Sequence, residues 1–213
     1  WVHEIKAPIT AIALNCENNR DERSRYLLVE NRKVENYVDM ALYYARMDAV
    51  YKDYMIAETN LQEVAQQVLL QNKYYLIQSH VKAEVACPDT VYSDKKWIAF
   101  ILNQLIQNSV KYGRSEGTHI QIVTKKTKSG VLLRVKDDGI GIPKEEIPRI
   151  FEKGFTGTNG RNRERSTGMG LYLCRKLCDK LNIEIRAESA EGKGTEIILM
   201  FPVSDYLTGY RET

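Results

Sequence analysis

The chain has 213 residues, 43% hydrophobic and 28% charged, enough to bury a real core in one or two units of roughly 150 residues. Its apolar runs fall far short of the ~20 residues of a membrane helix, and no charged segment followed by an apolar one marks an export signal. Thirty-one Lys and Arg against 28 Asp and Glu leave a formal charge of +3, too balanced for a protein that coats polyanions, so nucleic acid is not an expected partner.

Residues 1–50 contain no Gly and a single Pro, and their apolar positions recur at helical spacing. Val2, Ile5, Ile9, Ile12 and Cys16 step by 3, 4, 3 and 4, an a/d seam that asks for a partner helix. The polar stretch 17–24 interrupts it. Leu27, Val34, Val38, Ala41 and Ala45 then resume a stripe lasting to about Asp48, which predicts an antiparallel hairpin whose second helix is the longer. The far end of that helix is expected to have no partner within the chain. The remaining stripe would meet its copy in a second molecule, giving a dimeric four-helix bundle. The first residue is Trp1, so a fragment of something longer is expected.

From about Lys52 short β-branched runs alternate with helical ones, the texture of a layered α/β domain. The pattern predicts a helix over 60–71, strands at 81–85 and 91–92, and a helix to about Tyr112 with Asp94 as its N-cap and Trp97, Ile101, Leu105 and Ile106 buried. Strands at 119–126 and 131–136 follow, then a glycine- and arginine-rich surface loop over 153–167, a helix over 169–181, and strands at 184–188 and 195–201. Four scattered cysteines, Cys16, Cys87, Cys174 and Cys178, suit a reducing compartment as small buried hydrophobes. Cys174 and Cys178 share a helical face but have no second ligand pair to make a metal site.

Four stretches could carry chemistry. In His3-Glu-Ile-Lys-Ala-Pro8 a wet-flank imidazole, usable as a nucleophile near pH 7, adjoins a carboxylate that can take its proton, and Pro8 bends the helix beside it. The plainer alternative is a surface histidine. Gln104, Asn108 and Lys111 fall on one helical face, where an uncharged oxygen suits Mg²⁺ held by phosphates and an ammonium suits the phosphates themselves; the alternative is a solvated face. Asp137-Asp-Gly-Ile-Gly141 follows a strand, where glycines let backbone approach a planar ligand and a carboxylate can accept from an exocyclic amine. Gly168-Met-Gly170-Leu171 opens a helix, whose unpaired amides favour phosphate. No Walker loop and no GxGxxG fingerprint occurs.

His-Glu-x-x-x-Pro, Asn-x-x-Lys-Tyr, Asp-x-Gly-x-Gly-Ile, a Phe-rich segment, Gly-x-Gly-Leu and Gly-x-Gly-Thr, in that order, resemble the catalytic core of a sensor histidine kinase. The resemblance implies an α+β fold: residues 1–52 form the dimerisation and phosphotransfer hairpin, and 53–213 an α/β sandwich ATP-binding domain of the histidine kinase/gyrase type. It implies that His3 is phosphorylated with Glu4 as acid/base partner, and that Asn108 binds Mg²⁺ and Lys111 the phosphates. Tyr112 would flank the nucleotide and Asp137 read the adenine amine. Gly139, Gly141, Ile142, Phe151 and Phe155 would shape the base site. Arg161 would lie in a lid with Arg163 and Arg165. Gly168, Met169, Gly170 and Leu171 would anchor the lid at the phosphates, and Thr195 would complete the last box. ATP and Mg²⁺ are the implied cofactors, and a second copy and a response regulator receiver domain the implied partners.

Two positions depart from the family pattern. Gln104 stands where Asn is usual and where related ATPases carry a Glu, so hydrolysis to free phosphate is disfavoured. Ala7 stands where Thr or Asn is usual, which implies weak phosphatase activity. Trp1-Val-His-Glu-Ile-Lys6 and the segment 94–104 are similar to the intramembrane-sensing, bacitracin-sensor type, implying the cytoplasmic part of a membrane protein with a membrane transporter as input partner. The rival readings are an ATP-hydrolysing machine of the same fold and an inactive ATP-binding dimeric adaptor.

Overall fold

The computed structural model describes residues 2–19, 21–46, 55–158 and 167–203, with the side chains of Val2, His3 and Arg46 outside the description. Helices α1 (Val2–Asn19) and α2 (Glu22–Arg46) form the expected antiparallel hairpin: Lys6 pairs with Asp39 at 2.5 Å, and the Asn31 amide donates to the Ile9 carbonyl at 2.8 Å. Ile9 and Cys16 are buried, but Ile12 is 49% exposed, because α2 covers only one flank of the seam.

The second body is two-layered. Its five-stranded sheet has the order β2 (Val81–Ala86), β4 (Thr118–Thr127), β5 (Gly130–Asp137), β7 (Gly194–Pro202), β6 (Glu184–Ala190). Only β2 and β4 pair in parallel. Alternation sends one set of side chains inward: Thr118, Ile120 and Ile122 of β4 are buried between half-exposed neighbours. Against these pack the apolar sides of α3 (Leu61–Gln71), α5 (Lys95–Lys111) and α6 (Gly170–Lys180) in a single core containing Ile98, Ile101, Leu133, Leu173 and Leu199. Trp97, Ile101, Leu105 and Ile106 are all buried on α5, as their spacing predicts. Asp94 caps that helix, Oδ1 accepting from the amides of Lys96 and Trp97 at 2.9 and 3.3 Å, while Oδ2 accepts from the Met55 amide at 2.9 Å.

Two elements go beyond the sequence expectation, β1 (Ala57–Asn60), which pairs antiparallel with β3 (Thr90–Ser93), and α4 (Lys73–Gln78). A third difference concerns α2, whose far end does have a partner. Tyr43 packs on Trp97 and Phe100, with ring centroids 4.7 and 4.3 Å away, and Met40 joins the same core. At ~100° per residue α2 therefore has three faces. Ser24, Leu28 and Asn31 turn toward α1, and Asn36, Met40 and Tyr43 toward α5. Leu27, Val34, Ala41 and Ala45 stay exposed. Among the described residues no helix is long and apolar enough to cross a membrane.

Candidate functional site

Where the C-terminal half of α5 meets the ends of β5 and β7 and the start of α6, the chain encloses a cavity of about 220 Å³. Helical spacing brings Gln104, Asn108 and Lys111 onto its wall, and Tyr112 follows them. The solvated-face alternative fails at Gln104, which is 4% exposed. Its Nε2 donates to Asn36 Oδ1 on α2 at 2.5 Å, and the same oxygen accepts from Asn103 at 3.3 Å. The Asn103 oxygen in turn accepts from Asn72 at 2.8 Å. This chain of amides fixes which way Gln104 points: its Oε1 faces Gly170, where a Cβ would stand 2.9 Å away.

Asp137 ends β5 inside the cavity, and both of its oxygens are held. Ser109 donates to Oδ2 at 2.9 Å, and the amides of Gly139 and Thr195 donate to Oδ1 at 3.0 and 3.2 Å. Burial nonetheless pushes its pKa up from the ordinary carboxylate value, the hydrogen bonds from Ser109, Gly139 and Thr195 opposing the shift. The adjacent Asp138 turns away, accepting from the His119 amide at 2.7 Å. One aspartate is thus a strand fastener and the other lines the cavity.

The glycines here answer to protein backbone. A Cβ on Gly139 would stand 2.6 Å from the Tyr112 carbonyl oxygen, and one on Gly141, at φ +71°, only 2.0 Å from that of Ala190. Both serve a tight junction between the α5 terminus, the β5 turn and the β6–β7 hairpin. Gly168, at φ +64°, accepts from the Gly154 amide at 3.0 Å, tying together the two ends of the segment between them. Gly141, Ile142, Phe155, Gly168, Gly170, Leu171 and Thr195 all line the cavity, whereas Gly139 and Met169 do not. Phe151 and Met169 pack against the core, and the Arg149 guanidinium sits 4.7 Å from the Phe155 ring centroid. Arg161, Arg163 and Arg165 lie outside the described residues.

His3 and the exposed Glu4 belong to the first turn of α1, and the described cavity lining includes no α1 residue. The structure therefore gathers most of the described predicted residues of the second body, Gly139 and Met169 excepted, around a cavity that no described residue of α1 lines. Sequence reasoning missed Ser109, missed Ser189, whose hydroxyl accepts from the Ile142 amide at 2.9 Å and donates to the Gly194 carbonyl at 2.7 Å, and missed the α2 wall of Arg32, Lys33, Asn36 and Met40. A polar interruption of the α2 pattern at Asn31, Arg32, Lys33 and Asn36 was its only trace.

Comparison with known proteins agrees with this geometry. The chain is 33% identical over 203 residues to the sensor histidine kinase YxdK of Bacillus subtilis (strain 168), covering 94% of this chain and 62% of that protein. It is 36% identical over 211 residues to the sensor protein kinase GraS of Staphylococcus aureus (strain JH1), covering 96% and 60%. It thus spans about three fifths of the length of these relatives. The solved catalytic domain of histidine kinase ThkA superposes with a TM-score of 0.60 at 26% identity, covering 70% of this chain and 97% of that one. Residues 93–205, just over half of the chain, match the family of histidine kinase-, DNA gyrase B- and HSP90-like ATPases, and it is to this family that the chain belongs.

Proposed function

We propose that this chain is the catalytic portion of a two-component sensor kinase that transfers the γ-phosphoryl group of ATP to His3 and then to an aspartate of a response regulator. The observation that carries the reading is the convergence of Asn108, Lys111, Asp137, Gly170 and Thr195, drawn from four separate segments, on one cavity. On this reading Asp137 accepts from the adenine amine, Lys111 neutralises phosphate charge, and residues 1–52 and 53–213 act as acceptor and ATP-binding units. The donor set suits Mg²⁺ carried in by the nucleotide: among the described residues no group of three His, Cys, Asp or Glu could hold a metal alone, and the Asn108 amide offers one hard, neutral oxygen. Bound there, the ion would offset charge on the transferred group.

A ring nitrogen of His3 attacks the γ-phosphorus, the bond to the β-phosphate bridging oxygen breaks, ADP departs, and Glu4 takes the ring proton. The phosphoryl group next moves from nitrogen to a receiver carboxylate oxygen. Hydrolysis to free phosphate is disfavoured, since Gln104 cannot act as a base and its amide is committed to Asn36. The open apolar face of α2 supports a homodimer. Membrane attachment and a transporter as input partner belong to the whole protein on the same reading.

Incubation with Mg-ATP labelled at the γ-phosphate tests this. The parent acquires acid-labile label, whereas His3→Gln and Asn108→Asp stay unlabelled. Label that persists in His3→Gln, or release of free phosphate in place of labelling, overturns the reading.

A further inference from the structure

The two bodies meet in a definite register. Tyr43 contacts Trp97 and Phe100, and Asn36 contacts Asn103 and Gln104, so α2 runs antiparallel to α5. Continued along both helices, this pairing sets Arg32 level with Asn108 and Val29 level with Lys111, and all four residues line the same cavity. On the other flank of α2, the hydrogen bond from Asn31 to the Ile9 carbonyl and the turn between Asn19 and Glu22 set the backbone of His3 about level with Tyr37. From Tyr37 back to Arg32 is five residues, ~7.5 Å along a helix, and α1 contributes no described residue to the cavity. A nucleotide whose phosphates rest on Asn108 and Lys111 would therefore meet Arg32, while His3 stands more than a helical turn further along the hairpin, on a helix outside the described cavity lining.

Arg32 is chemically suited to that meeting. Its guanidinium can grip phosphate with two parallel N–H bonds. It is engaged with Glu35 one turn on, in a pair whose arginine side chain is 39% exposed, and such pairs contribute little and exchange readily. Among the described residues lining the cavity, Lys111 is the single cation contributed from outside α2. A polyphosphate seated there would keep net negative charge that α2 can meet.

We propose that Arg32 is a phosphate-binding residue which the helical hairpin lends to the nucleotide site, holding a nucleoside di- or triphosphate in an arrangement offset from His3 by more than a helical turn along the hairpin. The proposal rests on the nucleotide reading of the cavity. It has a reciprocal consequence: if Arg32 tightens polyphosphate binding in the docked arrangement, polyphosphate favours docking by the same factor, and removing Arg32 releases molecules toward phosphoryl transfer.

The test is equilibrium binding of ATP, ADP and AMP to the parent and to Arg32→Ala, together with the rate of His3 labelling at saturating Mg-ATP. Arg32→Ala should weaken ATP and ADP by roughly fivefold or more, leave AMP unchanged, and raise the saturated labelling rate by a comparable factor. Glu35→Gln, which frees the guanidinium, should tighten ATP. Circular dichroism and melting of Arg32→Ala that match the parent separate these effects from misfolding. Unchanged ATP affinity, an equal loss for AMP, or a labelling rate that falls together with affinity overturns the proposal. A parent that binds no ATP overturns the nucleotide reading as well, whereas a parent that binds and labels while Arg32→Ala behaves identically overturns this inference alone.

Discussion

Asp137 carries a contradiction that a ligand would resolve. Three donors hold its oxygens, yet burial keeps its proton affinity above the ordinary carboxylate value. A carboxyl raised in this way favours the fold below pH 3.8, its unfolded value, and that contribution is lost as pH rises through the folded pKa. A bound purine donating its amine to the ionised form shifts the balance back. Adenine-nucleotide affinity should therefore climb from about pH 4 through that pKa and then level off. Asp137→Asn should lose this dependence and roughly tenfold or more of the affinity, as titration calorimetry across the pH range would measure. Asp137 itself was legible because a carboxylate at a strand end beside glycines has few plain uses. Gly139 and Gly141 were legible as glycines, but the carbonyls of Tyr112 and Ala190 that also forbid a Cβ there were not, since they come from segments far along the chain. Ser109 and Ser189 carried no signal, since a serine on a helix or strand means nothing until its partner is known.

Among the elements, α5, α6 and the central strands announced themselves through periodicity, because each buries one face against one core. β1 has the sequence Ala-Glu-Thr-Asn with only Thr59 buried, and nothing in it alternates. α2 was half legible. Its periodicity showed one stripe, of which Leu27, Val34, Ala41 and Ala45 stay exposed, but Asn36, Met40 and Tyr43 belong to a third direction that a two-helix picture cannot contain. That stripe makes a prediction at its own scale. Val34, 50% exposed in the single chain, lies mid-way along the proposed dimer face, and Val34→Glu would place an unpaired charge on each side of a four-helix core, costing several kcal/mol. Light scattering should show the parent at twice the mass of the variant, with helix content unchanged. A Val34→Glu protein that remains dimeric would remove α2 as the interface.

As a whole the molecule is two cores joined by one helix, with the amide chain from Asn72 to Gln104 and the Tyr43 ring cluster as fastenings. The overall architecture was legible because each core has its own texture; the fastening was not, since it consists of side chains that look like ordinary helix surface until the second body is placed. All four cysteines are free and buried, Cys16 in the hairpin and Cys87, Cys174 and Cys178 in the sheet domain. Burial also lifts the domain thiols, Cys87 to about 11 and Cys178 to about 12, and raises Cys174 well above its usual value. At neutral pH an alkylating reagent can reach them only when the structure opens. Peptide-resolved mass spectrometry of iodoacetamide uptake should then time the two cores separately, with Cys174 and Cys178 modified together and last. ATP should slow those two sites more than Cys16, so the chain carries a built-in stopwatch for each of its halves.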